Sequence, residues 1–234
     1  MKSYRWVWRY FALLACFALA LPVANAAPAA PVRVSQQVIQ DERFTVWLPQ
    51  LEGLADPVVQ DRLNEKISQD MKQEETAFQR AWEQMQQTPQ IPDSIKKSAH
   101  FWGTYAVKLN KDGLLSLTVS QYYIAGGAHG STMTRSYTME VVTGKLLALQ
   151  DIFRPDAAYR ERLNEWIRED IRRKGKTMYR FEGIREQQSF YLTEEGLVLF
   201  YQPYEIASWA DGYIRFVIPY DQIRDLLRQD LPLY

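Results

Sequence analysis

The stretch Phe101-Trp102-Gly103-Thr104-Tyr105-Ala106-Val107-Lys108-Leu109-Asn110-Lys111-Asp112-Gly113-Leu114-Leu115-Ser116-Leu117-Thr118-Val119 decides the fold class. Phe101, Tyr105, Val107 and Leu109 keep a period of two, and Leu115, Leu117 and Val119 resume it after Asn110-Lys111-Asp112-Gly113. Side chains alternate across a strand, so each run offers one apolar face, and an Asp-Gly turn between two such runs closes a β-hairpin. Two more hairpins are predicted downstream. One turns at Val142-Thr143-Gly144-Lys145, and one turns at Thr193-Glu194-Glu195-Gly196 between Phe190-Tyr191-Leu192 and residues 197–201. Residues 213–218 read as a last strand.

Upstream, residues 32–50 alternate, with Phe44, Val46 and Leu48 on one strand face. A helix follows. Asp56 is placed to cap it, and Pro57 takes the first helical position, where its missing N–H costs nothing. Val59, Leu63, Ile67 and Met71, then Phe78, Trp82 and Met85, carry its apolar stripe to about residue 87. A second helix is predicted over residues 155–173, with Tyr159, Leu163, Trp166 and Ile171 inward and Gly175 as its stop. A short closing helix capped by Asp221 is predicted over residues 221–227. The fold class expected is α+β, antiparallel sheet hairpins packed against one long N-terminal helix and one mid-chain helix.

Among the 234 residues, 47% are hydrophobic and 24% charged, the composition of a globular chain. Residues 1–26 have the form of a signal peptide. Lys2, Arg5 and Arg9 supply the basic end, residues 11–23 are apolar, and Ala24-Asn25-Ala26 is a small-x-small cleavage site. Two alternatives stay open: an N-terminal membrane anchor, and a lipoprotein modified at Cys16 within Leu13-Leu14-Ala15-Cys16. All three place the rest of the chain outside the cytoplasm, after a proline-stiffened tether over residues 27–34. Beyond residue 26 there are 25 basic and 28 acidic side chains, a net of −3, which argues against nucleic acid as partner. Cys16 is the single cysteine, so no disulfide or thiolate metal site is expected in the remainder.

Little catalytic chemistry is written into the chain. The histidines are His100 and His129, without H-x-x-H or H-E-x-x-H spacing, and there is no G-x-S-x-G elbow. No catalytic residue, metal or cofactor is predicted. Two segments invite contact with a partner. In Ile124-Ala125-Gly126-Gly127-Ala128-His129-Gly130 the glycines allow a tight crossing or bulge, with His129 either bonding the backbone or touching a ligand. In Gln202-Pro203-Tyr204-Glu205-Ile206-Ala207-Ser208-Trp209-Ala210-Asp211-Gly212, Pro203 ends a strand, and Tyr204 and Trp209 fall in a loop, for recognition or for inward packing. The candidate contact residues are Gly126, Gly127, His129, Gly130, Gln202, Pro203, Tyr204, Glu205 and Trp209.

Gly126-Gly127-Ala128-His129, Tyr137-x-x-Glu140 before Thr143-Gly144-Lys145, Leu149-x-Asp151-Ile152-Phe153, Phe190-Tyr191-Leu192-Thr193-x-Glu195-Gly196-Leu197 and Gln202-Pro203-Tyr204-Glu205-Ile206-Ala207 together resemble one family. It is the C-terminal extracytoplasmic domain of RsiV-type anti-sigma factors, a domain of unknown function. Leu48-Pro49-Gln50-Leu51-x-Gly53-Leu54 and Val59-Gln60-x-x-Leu63-Asn64-x-x-Ile67 look like the companion domain shared by RsiV and PdaC-type peptidoglycan deacetylases. The resemblance implies a PdaC/RsiV-like domain over residues 35–120 and an RsiV-like domain over 121–234, packed as one unit. It implies a non-enzymatic binding module whose partner is a lysozyme-type muramidase, sensed or inhibited, or else peptidoglycan itself. At Ser208-Trp209 the family often has Pro-Tyr, and the sigma-binding segment and deacetylase domain of the relatives are not matched.

Overall fold

The computed structural model describes residues 30–125, 129–176 and 179–233. The leader, with its alternatives at Cys16, and Gly126, Gly127 and Ala128 of the glycine-rich segment lie outside the described residues. The element order is β1 (Arg33–Gln40), β2 (Phe44–Glu52), α1 (Pro57–Gln87), α2 (Asp93–Lys97), β3 (His100–Lys111), β4 (Leu114–Ile124), β5 (Ser131–Glu140), β6 (Lys145–Leu146), α3 (Tyr159–Arg173), β7 (Phe190–Leu192), β8 (Gly196–Tyr201) and β9 (Ile214–Pro219). The fold is mixed α+β. One sheet has the order β1-β2-β3-β4-β5-β6 and a second the order β7-β8-β9.

The deciding hairpin forms as read. Asp112 (φ 47°) and Gly113 (φ 81°) both occupy the left-handed region between β3 and β4, as a two-residue hairpin turn matched to strand twist requires. One detail differs from strict alternation. The register slips between Val107 and Leu109, a bulge that leaves Val107 40% exposed and turns Leu109 to the opposite face of the sheet. A second difference is that β2 and β3 pair in parallel, Phe44 beside Phe101. The helix α1 carries the chain from the end of one to the start of the other, and a crossover of that length returns it in the same direction.

Asp56 caps α1 as expected, its carboxylate accepting from the N–H groups of Val58 (2.8 Å) and Val59 (3.4 Å). Val59, Leu63, Ile67, Met71, Phe78 and Met85 are buried. They cover the face of the large sheet that bears Val46, Phe101, Leu115, Leu117 and Met139. Phe44, Phe78 and Phe101 form an aromatic knot there, with centroids 5.4–5.8 Å apart.

The other face of β4 and β5 is a hydroxyl ladder. Ser116 bonds Thr138 (2.8 Å) and Ser120 bonds Thr134 (2.9 Å) across the strands. Against it docks the second sheet, the N–H of Leu192 donating to Ser116 Oγ at 3.0 Å. The second core lies behind, where Leu109 and Leu114 meet Leu163, Ile167, Leu197, Leu199, Phe216 and Ile218. Strand β4 therefore has both faces buried over residues 114–119.

Two helix readings change. Helix α3 starts at Tyr159, later than residue 155, because Arg154-Pro155-Asp156-Ala157 turns back on itself with the Ala157 N–H on the Arg154 carbonyl. Its buried face centres on Leu163, Ile167 and Asp170, with Tyr159, Trp166 and Ile171 at the margins. Residues 221–227 are not one capped helix. They are the tail of one 3-10 turn (Tyr220–Gln222) and a second (Arg224–Leu226), interrupted at Ile223 (φ −136°). Ile223, Leu226 and Leu227 are all buried in the second core, so these turns are set by packing there.

Candidate partner-binding site

The two segments singled out from sequence meet in space. His129 precedes β5, Tyr204 and Trp209 follow β8, and the clip between those strands is Gln202. Its side-chain amide donates to the Thr134 carbonyl (2.6 Å) while its side-chain oxygen accepts from the Thr134 N–H (3.1 Å), so it pairs with β5 as a strand residue would. Glu205 then fixes the loop. It accepts from the Gln202 N–H (2.7 Å) and pairs with Arg185 (2.8 Å). That hydrogen bond to Glu205, working against burial, holds the Arg185 guanidinium above its ordinary value. Tyr204 sits between these anchors at φ 71°, a conformation that bulky L residues adopt at a cost, and the residue is 65% exposed.

Gly130 sets the position of His129. A Cβ there would lie 2.2 Å from Cε2 of Tyr122, so a larger residue would have to push that ring aside. The His129 Nδ1 is 2.9 Å from the Gly130 carbonyl, and its Nε2 is 3.0 Å from the Tyr204 hydroxyl. A carbonyl only accepts, so Nδ1 carries the proton in this contact, and in the neutral ring Nε2 accepts from Tyr204. The imidazole also stacks on Trp209, centroids 4.4 Å apart. His129 thus bonds the backbone, the first of the two roles weighed for it, and it is exposed. Trp209 rides on a 3-10 turn closed by Ser208 Oγ on the Asp211 carboxylate (2.6 Å).

Together these groups border a cleft of about 390 Å³, completed by Ala81, Tyr123, Thr132 and Pro203. The side chains of Gln202 and Glu205 are committed to bonds within the protein, whereas Tyr204, Trp209 and His129 offer ring surface. Nothing is described for Gly126 and Gly127.

Two neighbouring features escaped the sequence reading. On the open face of the large sheet His100, Trp102 and Tyr122 form a row of rings, 4.3 and 5.8 Å between successive centroids. The period-two pattern places them there, but only their adjacency across strands makes a row. In the stripe of α1, Asp70 is buried and binds Lys66 (2.7 Å) and the Tyr137 hydroxyl (2.9 Å). Burial and the Asp70 carboxylate both push the Tyr137 phenol up. Glu74, one turn on, pairs with Arg135 at 2.7 Å. Acidic side chains at core-facing positions of a helix were the available signal. Among the described residues no three His, Cys, Asp or Glu side chains stand together in a way that would hold a metal ion, and no helix is long and apolar enough to cross a membrane.

Comparison with known proteins divides the chain in the same order as its sheets. The family model described as Deacetylase PdaC matches residues 35–132, and the model described as Protein of unknown function (DUF3298) matches residues 150–221. The peptidoglycan-N-acetylmuramic acid deacetylase PdaC of Bacillus subtilis (strain 168) is 21% identical over 124 residues, 49% of this chain and 26% of that protein. The chain therefore spans about a quarter of that curated relative's length. A member of the DUF3298 family from Bacteroides fragilis superposes with a TM-score of 0.64 over 85% of this chain and 94% of its own, at 19% identity. A DUF3298 family protein from Pseudomonas aeruginosa PAO1 gives 0.52 over 86% and 96%, also at 19% identity. At that identity the solved structures speak for the fold alone. Sequence, fold and family models agree on one description: a PdaC-like domain followed by a DUF3298 domain.

Proposed function

We propose that the chain is an extracytoplasmic, non-enzymatic binding module of the cell envelope that engages a lysozyme-type muramidase through His129, Tyr204 and Trp209. The observation that carries this reading is the meeting of three exposed rings from two distant loops beside a cleft of about 390 Å³. Aromatic anchors of this kind supply large contact area at small entropic cost. In this reading the two sequence domains, 35–120 and 121–234, work as one unit: the three rings lie in the second, and Ala81 of the first helps to line the cleft beside them. The net charge of −3 beyond residue 26 has the sign that suits a basic muramidase.

Its test is a wall-lysis assay in which purified chain is added to a C-type lysozyme acting on isolated cell walls. Dose-dependent slowing, absent with Tyr204→Ala and Trp209→Ala together, supports the reading. Unchanged lysis together with no complex in solution removes it. The second reading is direct binding of peptidoglycan, favoured by a relative whose name gives N-acetylmuramic acid in peptidoglycan as its substrate. Co-sedimentation with purified sacculi that survives high salt is its expected sign.

A further inference from the structure

Along the outer edge of β5 the backbone groups of alternate residues face away from β4. The bond from the Val141 N–H to the Gly113 carbonyl makes the odd-numbered pairs of β4 and β5 the hydrogen-bonded ones, so Thr134, Ser136 and Thr138 point their N–H and C=O outward. Thr134 is covered by the carboxamide of Gln202, and the Thr138 carbonyl accepts from the Leu147 N–H at 2.8 Å. Between them Ser136 has no backbone partner among the described residues, and it lines a cleft of about 630 Å³. Elsewhere the protein fills such vacancies with its own amides: Asn110 binds both backbone groups of Val32, and Asn64 both of Leu51.

The groups around Ser136 are charged and only partly engaged. Arg135 lines the cleft and binds Glu74 through one terminal nitrogen, yet its buried Nε has no hydrogen-bond partner. Lys66 gives its ammonium to Asp70 but remains half exposed. Glu186 lines the cleft and is exposed, and no ion pair occupies its carboxylate among the described residues.

We propose that this cleft is a peptide site: it takes a short, mixed-charge peptide in extended form, one residue of which pairs with the N–H and C=O of Ser136. An extended residue presents its own N–H and C=O on one side in the spacing a strand edge accepts. An acetamido sugar does not, since its trans amide points donor and acceptor in opposite directions. Glu186 receives a cationic group of the peptide, while the half-exposed Lys66 receives an acceptor or carboxylate. The ligand class deepens the second reading above, because wall peptides carry both charges and ordinary amides. The site adjoins the aromatic cleft at Met133 and Gln202 but uses none of the three rings, so its failure leaves the muramidase reading intact.

The test is titration of the ¹⁵N-labelled chain with two probes, the peptides released from purified sacculi by amidase and an all-L Ala-Glu-Lys-Ala tetrapeptide. A shift of the Ser136 amide by either probe is expected, and the probe that acts identifies the source as wall or protein. Glu186→Gln should weaken that binding about tenfold. Ser136→Pro, which removes an outward N–H and spares the ladder to β4, should weaken it by a similar factor with the fold kept, since an edge strand tolerates proline where its N–H faces outward. An unmoved Ser136 amide at millimolar peptide overturns the proposal. So does a shift at Ser136 produced by an N-acetylglucosamine tetramer and not by peptide. Should Ser136→Pro fail to fold, Glu186→Gln and the probe comparison decide alone.

Discussion

The imidazole of His129 lies on the indole of Trp209 with its plane tilted by 22°, while its Nε2 meets the hydroxyl of Tyr204, 75 residues away in sequence. The contact joins two loops that each have anchors of their own. The arrangement is also paid for, in the strained backbone of Tyr204 and the closely packed Gly130.

Trp209→Ala is accordingly expected to separate binding from folding. Binding of a muramidase should weaken by about 2 kcal/mol or more, as a central aromatic anchor would. Unfolding in urea should shift by only about 1 kcal/mol, the worth of one ring stack. Titration calorimetry beside a denaturation curve reads both quantities.

Gly130→Ala should destabilise the fold by about 1 kcal/mol, the low end for overpacking, because the new methyl has to push the Tyr122 ring aside. Adding Tyr122→Ala should recover part of that loss by opening the space. If the double variant melts below the sum of the singles, the close approach is not what glycine is there for.

Much of this architecture is legible in the sequence where a local rule has one solution. Asn110-Lys111-Asp112-Gly113 can satisfy its flanking alternation only as a tight turn, and Asp56-Pro57 marks a helix start without reference to anything distant. Residues 221–227 were misread because Ile223, Leu226 and Leu227 fit the spacing of a helix and of two 3-10 turns alike, and only the core around them chooses. The parallel pairing of Phe44 with Phe101 depends on where α1 returns the chain. The candidate site was legible as two suspicious loops. Their meeting was not, because it is set by Gln202 on Thr134, a contact between elements far apart in the chain.

Gln202→Ala should cost about 1–3 kcal/mol, since it strips both partners from a buried residue at the edge of β5. Gln202→Glu should not restore it: a carboxylate accepts from the Thr134 N–H but has nothing to donate to its carbonyl. Thermal melts of the two variants check this, and wild-type stability in Gln202→Glu would contradict it.

Asp70 and Tyr137 should show coupled energies. Removing the carboxylate with Asp70→Ala leaves the buried hydroxyl of Tyr137 unpartnered, while Tyr137→Phe removes the need. The double-mutant cycle should give a coupling of about 1 kcal/mol or more. Additive losses would show that the contact contributes nothing beyond its parts.

Acid should weaken the fold through Asp151 and Asp230. Burial raises the Asp151 pKa, but the hydrogen bonds from Lys145 (2.9 Å) and the Ala148 N–H (2.8 Å) outweigh it and hold the carboxyl below 3.8; for Asp230 the hydrogen bond from Arg228 does the same. A depressed carboxylate contributes stability that is fully present above its unfolded value and drains away as pH falls through the folded one. Urea midpoints should therefore be flat from neutrality down to about pH 5 and fall below about pH 4. The Lys145→Ala variant should show a shallower fall.

The most direct measurement is binding of residues 27–234 to an immobilised C-type lysozyme, with an inert basic protein of similar charge as control and Trp209→Ala run alongside. Saturable binding that the control does not reproduce, and that Trp209→Ala weakens by about 2 kcal/mol, is the predicted result. Equal retention on lysozyme and control, or binding indifferent to Trp209, would contradict the claim that these three rings are a muramidase-binding surface.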